Sequence, residues 1–262
     1  MPTYFISHGG GPWPWLDNMR ESLKTLEVSL AHMPKELPDT PKAILMISGH
    51  WEKEDSYAVM TSATPPMVYD YFNFPPETYE IVYPAPGAPE IAARASELIR
   101  SAGLPVSEDS KQGFDHGTFV PAYVMYPDAN VPVFQISMRS HYDPAEHFAL
   151  GRALAPLRDE GVLIVGSGLS YHNLRNFGPQ AKVPSAEFDK WLQAALDKPA
   201  NERTPALLDW ESAPYARLCH AQEDHLVPLF AALGAAEDEH ATITYHDENV
   251  LGGVTASSWR FG

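Results

Sequence analysis

Short apolar runs that alternate with longer stretches of helical period predict an α/β fold, a single-domain sandwich with a central mixed or mostly parallel sheet flanked by helices. Two further observations support that class. The 262 residues suffice for one sizeable core but not clearly for two, and neither an internal repeat nor a low-complexity linker divides them. Residues 1–262 are therefore read as one domain.

The predicted strands are apolar and rich in β-branched or aromatic residues: Thr3–Ile6, Ala43–Ser48, Tyr57–Thr61, Val131–Ser137, Val162–Val165 and Thr242–Tyr245. Between them the spacing predicts helices over Met19–His32, Pro89–Ala102, Thr118–Met125, Pro144–Arg158, Ser185–Leu196 and a segment near Glu223–Leu233. In the second of these, Ile91, Ala95, Leu98 and Ile99 share a face and Gly103 supplies the stop. Residues 65–89 fit neither period. Their prolines cannot donate ladder hydrogen bonds, which leaves a long loop carrying Tyr69, Tyr71, Phe72, Phe74, Tyr79 and Tyr83. Such a loop either covers a pocket or packs its rings onto the core.

Composition narrows the function. Eighteen basic residues against 34 acidic ones give a formal charge of -16, a field that repels phosphate backbones and makes nucleic acid an unexpected partner. No apolar run reaches membrane-spanning length, and the first residues lack a secretory pattern. Cys219 stands alone, which excludes an internal disulfide, fits a cytoplasmic setting, and removes thiolate-rich zinc and iron–sulfur sites.

Histidines carry the chemistry that remains. His8 in Ser7-His8-Gly9-Gly10-Gly11-Pro12, His50 in Ser48-Gly49-His50-Trp51 and His172 in Gly168-Leu169-Ser170-Tyr171-His172-Asn173 each follow a predicted strand. In open α/β sheets ligands bind beyond the carboxyl ends of strands, so these three can converge on one crevice. The glycine loops lack the spacing of phosphate-binding motifs, and Gly166-Ser167-Gly168 is not a nucleophile elbow. His225 precedes the apolar positions Leu226, Leu229, Phe230 and Leu233, with Pro228 tolerable only in a first helical turn; it reads as a site residue or as a capping or surface histidine. His116, in Phe114-Asp115-His116-Gly117, sits in a turn exposed enough to exchange protons, with Asp115 able to cap the next helix. His32 and His147 fall within helices, and His141, His220, His240 and His246 in polar turns or near helix ends; these are read as structural.

With those residues in view, the sequence resembles the class III extradiol ring-cleaving dioxygenases (LigB-like), in their DOPA 4,5-dioxygenase branch. The matching elements run in order through Ser7–Pro12, Ser48–Trp51, Thr64–Pro66, Tyr83–Gly87, Phe114–Gly117, Ser167-Gly168 with His172–Leu174, and Glu223–His225 with Pro228-Leu229. They span nearly the whole chain. The resemblance implies a non-haem Fe(II) site with His8, His50 and His225 as ligands. It gives His172 the role of acid–base residue or fourth ligand and has His116 hydrogen-bond oxygen or substrate. The broader class uses two histidines and a carboxylate, for which Glu223 is the nearby alternative to His225.

The implied reaction opens the ring of a DOPA-like or other small catechol with O2 to give a semialdehyde acid. Imidazoles suit Fe(II), and they also accept zinc, so Zn(II) can occupy the purified protein. A zinc-dependent hydrolase on the same histidines and a catalytically inactive binding relative are the alternatives. Trp13, Trp15, Tyr71 and Phe74 are the expected ring-stacking walls.

Overall fold

A computed structural model describes all residues, 1–262. Ten strands are formed: β1 Thr3–Ser7, β2 Ala43–Ser48, β3 Glu52–Lys53, β4 Tyr57–Met60, β5 Val106–Asp109, β6 Val133–Gln135, β7 Met138–Arg139, β8 Val162–Gly168, β9 Ala241–Val250 and β10 Val254–Phe261. The helices are α1 Asp17–Ser22, α2 Lys24–Glu36, α3 Pro89–Ser101, α4 His116–Met125, α5 Pro144–Leu154, α6 Pro156–Asp159, α7 Lys182–Leu196, α8 Ala200–Leu208, α9 Ala216–Cys219 and α10 Val227–Gly234.

Six strands build the central sheet in the order β6-β2-β8-β1-β10-β9. The first four are parallel, and β10 and β9 close one side antiparallel, so the sheet is mixed as the sequence predicts. Every residue of β1, β2 and β8 is buried, because helices cover both faces of this parallel core. Helix α10 is buried along its whole length, and Pro228 lies in its first turn, where a missing N–H costs nothing. A single hydrophobic core of 72 buried residues runs through these layers.

Several predicted boundaries are corrected. The helix expected over Met19–His32 is interrupted at Leu23, whose φ of -110° and ψ of 22° leave the helical region as its side chain becomes buried. The helix expected over Pro144–Arg158 divides before Pro156, which lacks the N–H needed to continue it. The strand expected from Val131 begins only at Val133, after Pro132. Strand β10, helix α8 and strand β5 lie outside the predicted elements. In β10 the run Thr255-Ala256-Ser257-Ser258 looks polar, yet it is buried. Its polar groups are satisfied across the sheet: Ser7 N–H donates to Ser258 Oγ at 2.9 Å, and Ser257 Oγ donates to Asp189 at 2.7 Å.

Candidate active site

The carboxyl ends of the three central parallel strands deliver the histidines. His8 follows β1, its N–H donating to the Gly168 carbonyl at the end of β8 at 3.1 Å. The turn that releases the chain needs glycine: Gly9 has φ +81°, and a Cβ there would stand 2.4 Å from the Trp13 indole nitrogen. That indole in turn donates to the His8 carbonyl at 2.9 Å. His50 follows β2 after Gly49, and its N–H donates to Ser48 Oγ at 3.2 Å. His225 lies in the turn before α10, where its carbonyl accepts the Leu169 N–H at 3.0 Å. Gly168 permits that approach, since a Cβ would fall 2.0 Å from the same carbonyl oxygen.

The rings of His8, His50, His116 and His225 form one cluster. Centroids lie 5.0 Å apart for His8–His50, 5.2 Å for His8–His225, 4.7 Å for His50–His225 and 4.0 Å for His50–His116. His172 stacks on His225 at 3.4 Å. All five predicted site histidines therefore meet in one place.

Two aspartates orient the rings. Asp70, on the proline-rich aromatic loop, accepts from His116 Nδ1 at 2.8 Å and from the His116 backbone N–H at 3.1 Å, and its other oxygen stands 3.2 Å from His50 Nδ1. Asp224 accepts from His225 Nδ1 at 2.8 Å and stands 3.5 Å from His172 Nδ1. Neither carries a motif of its own in the sequence. Asp224 adjoins His225, but Asp70 lies in a loop with no periodicity to mark its direction. Glu223, the alternative carboxylate, pairs with Arg217 at 2.5 Å and does not join the cluster.

Electrostatics favour the neutral, metal-binding form of His8, His50 and His225. Burial, followed by the neighbouring imidazoles, pushes His8 and His50 well below the usual histidine range. Burial and then His172 lower His225 to about 4. Burial alone would raise Asp224, but His172 and His225 hold its carboxyl well below the carboxylate range. Asp115, buried, is raised to about 7 by desolvation and by Asp70, while accepting from Ser48 Oγ at 2.7 Å and capping α4 through the Thr118 N–H.

These residues fit a metal ion. With Nδ1–H of His225 given to Asp224, and Nδ1 of His50 against Asp70, the two Nε2 atoms present lone pairs to each other at 3.1 Å. In that tautomer the approach calls for a cation between them. Two metal–nitrogen bonds of about 2.1 Å meeting at a right angle separate their nitrogens by about 3 Å. Both ring nitrogens of His8 are buried without a hydrogen-bond partner. Ligand atoms of His8, His50 and His116 lie within 4.8 Å of one another, as do those of His172, Asp224 and His225.

The cluster forms one end of a cavity of 310 Å³, large enough for a small aromatic ligand. Tyr71 and Phe74 line it, as the sequence predicts, and so the aromatic loop both covers the pocket and packs on the core. Two expectations are corrected. Trp13 is fully buried beneath the His8 turn, and Trp15 packs on Tyr123 at 4.5 Å; neither lines the cavity. His116 is buried rather than exposed, because the loop carrying Asp70 and Tyr71 covers it. His220, read as a structural histidine near a helix end, caps α9 and is fully buried between Phe188 and Trp210.

Comparison with known proteins agrees with this geometry. Residues 3–262 match the family model described as the catalytic LigB subunit of aromatic ring-opening dioxygenase. The chain is 39% identical to a 4,5-DOPA dioxygenase extradiol of Beta vulgaris, over 99% of this chain and 96% of that one. It is 34% identical to the protein of that name in Escherichia coli K12, over 100% and 95%. A crystal structure of an uncharacterised Escherichia coli K12 protein superposes with a TM-score of 0.79 at 32% identity, each chain covered in full. No helix here is long and apolar enough to cross a membrane. A histidine cluster beyond the ends of β1, β2 and β8, on a chain matched from Thr3 to its last residue, makes this protein a member of the LigB family and an extradiol ring-cleaving dioxygenase.

Proposed function

We propose that the chain holds Fe(II) through His8, His50 and His225 and uses it to open the ring of a small catechol with O2, giving a semialdehyde acid. The observation that carries this reading is the convergence of the His50 and His225 Nε2 atoms at 3.1 Å beside a His8 ring with no other partner. When bound, iron supplies Lewis acidity toward the diol and open positions for diol and O2.

The chain's own residues do the rest. Asp70 and Asp224 fix the ring orientations, so the metal-facing nitrogens need little reorganisation. His172, with Nδ1 toward Asp224, presents Nε2 as the acceptor for a diol proton. His116 gives Nδ1–H to Asp70 and keeps Nε2 for the oxygen or substrate side. His172 also lies close enough to His225 to serve as a fourth ligand. The apolar walls exclude water from the ring that is opened. The relatives named for DOPA support a catechol, and the cavity volume suits a single aromatic ring.

Oxygen consumption across a catechol panel, after anaerobic Fe(II) loading, tests this. Uptake of O2 with a yellow ring-opened product is expected. Iron bound without any uptake would contradict it, and turnover of an ester or amide with zinc and no oxygen would replace it with a hydrolase.

A further inference from the structure

The cavity beyond the histidines has a chemical character that the reaction class does not dictate. Its 22 lining residues include no lysine and no arginine. Their only carboxylate is Asp70, already engaged with His116 and His50. The two tyrosines offer no free donor either: Tyr71 OH donates to the Thr78 carbonyl and Tyr171 OH to the Asn176 carbonyl, both at 2.5 Å. Away from the histidines the walls are apolar, with Phe177, Val250 and Val254 among them.

The entrance continues this character. Phe72, Leu174 and Leu251, from three separate loops, line the cavity and yet are 77%, 74% and 38% exposed. Large apolar side chains that both line a cavity and meet solvent present apolar surface to an entering ligand. The chain's charge of -16 adds a field that disfavours an anionic one.

We propose that the substrate is a catechol bearing a neutral, apolar substituent, such as an alkylcatechol, in place of a catechol amino acid or acid. This rests on the catechol-cleaving reading above. The diol takes the metal end, and the substituent runs along the apolar wall toward Phe72, Leu174 and Leu251. A carboxylate in that position meets no cationic side chain and no free side-chain hydroxyl to offset its desolvation. Each buried methylene, by contrast, tightens binding roughly three- to fourfold.

The test uses the iron-loaded protein with catechol, 4-methylcatechol, 4-butylcatechol, L-DOPA and 3,4-dihydroxyphenylacetate. It measures kcat/KM by oxygen uptake and, separately, anaerobic affinity by titration calorimetry. Affinity and kcat/KM are expected to rise with alkyl length, and both charged compounds to fall about tenfold or more below 4-butylcatechol. Equal or better binding and turnover of L-DOPA or the phenylacetate would overturn the proposal. If no compound consumes oxygen, the dioxygenase reading fails, and the calorimetric order alone decides this one: tighter 4-butylcatechol supports it, and equal or tighter charged ligands refute it.

Discussion

His50 and His225 stand 175 positions apart in the chain, yet their Nε2 atoms face each other across 3.1 Å. One follows a strand and the other precedes a buried helix, and each is turned toward the other by its own aspartate, Asp70 or Asp224. The pair is preorganised for a cation, because reorienting either ring would break its contact with a carboxylate.

The aspartates should matter nearly as much as the ligands. Asp70→Asn is expected to weaken metal affinity about 10- to 100-fold while leaving the fold intact, and Asp224→Asn the same. Competitive chelator titration measures the affinity, and circular dichroism checks the fold. Unchanged affinity in both variants would show that the rings are oriented without their carboxylates.

Gly9→Ala should destabilise the protein by about 1–3 kcal/mol, since the added Cβ meets the Trp13 indole at 2.4 Å in a backbone with φ +81°. Denaturant unfolding of the metal-free protein measures this. The same substitution should reduce metal affinity, because the displaced indole holds the His8 carbonyl.

Acid sensitivity should come partly from histidines outside the site. Burial lowers His147 to about 4 from an unfolded value of 6.5. Its Nδ1–H donates to the Asp143 carbonyl at 2.7 Å while Nε2 accepts the Arg139 N–H at 3.2 Å, a pattern that requires the neutral ring. The unfolded chain therefore binds this proton first. The stabilisation is complete above pH 6.5 and is lost as pH falls toward and below 4, amounting to on the order of 3 kcal/mol. His147→Gln should flatten the stability profile by about that amount between pH 7 and pH 4, measured by urea unfolding at each pH. An unchanged slope would count against it.

The sequence makes β1, β2 and β8 legible because parallel strands buried on both faces read as apolar runs, and the rule that sites lie beyond their carboxyl ends then selects His8, His50 and His172. His225 and His116 depend on the family resemblance, since nothing local separates a ligand from a capping residue. Strand β10 is hidden because its buried serines are satisfied by partners such as Ser7 and Asp189, far away in the chain. Asp70 is hidden for a similar reason: it sits in an aperiodic loop whose direction is fixed by the His116 N–H and ring and by the His50 ring it meets.

Iron content after anaerobic loading, compared across wild type, His225→Ala and His116→Ala, tests the central claim most directly. Near-stoichiometric iron is expected in wild type and in His116→Ala, the latter with oxygen uptake on a catechol strongly reduced, and little iron in His225→Ala. Full iron retention by His225→Ala, or loss of iron from His116→Ala instead, would contradict the assignment of His8, His50 and His225 as the metal-holding set.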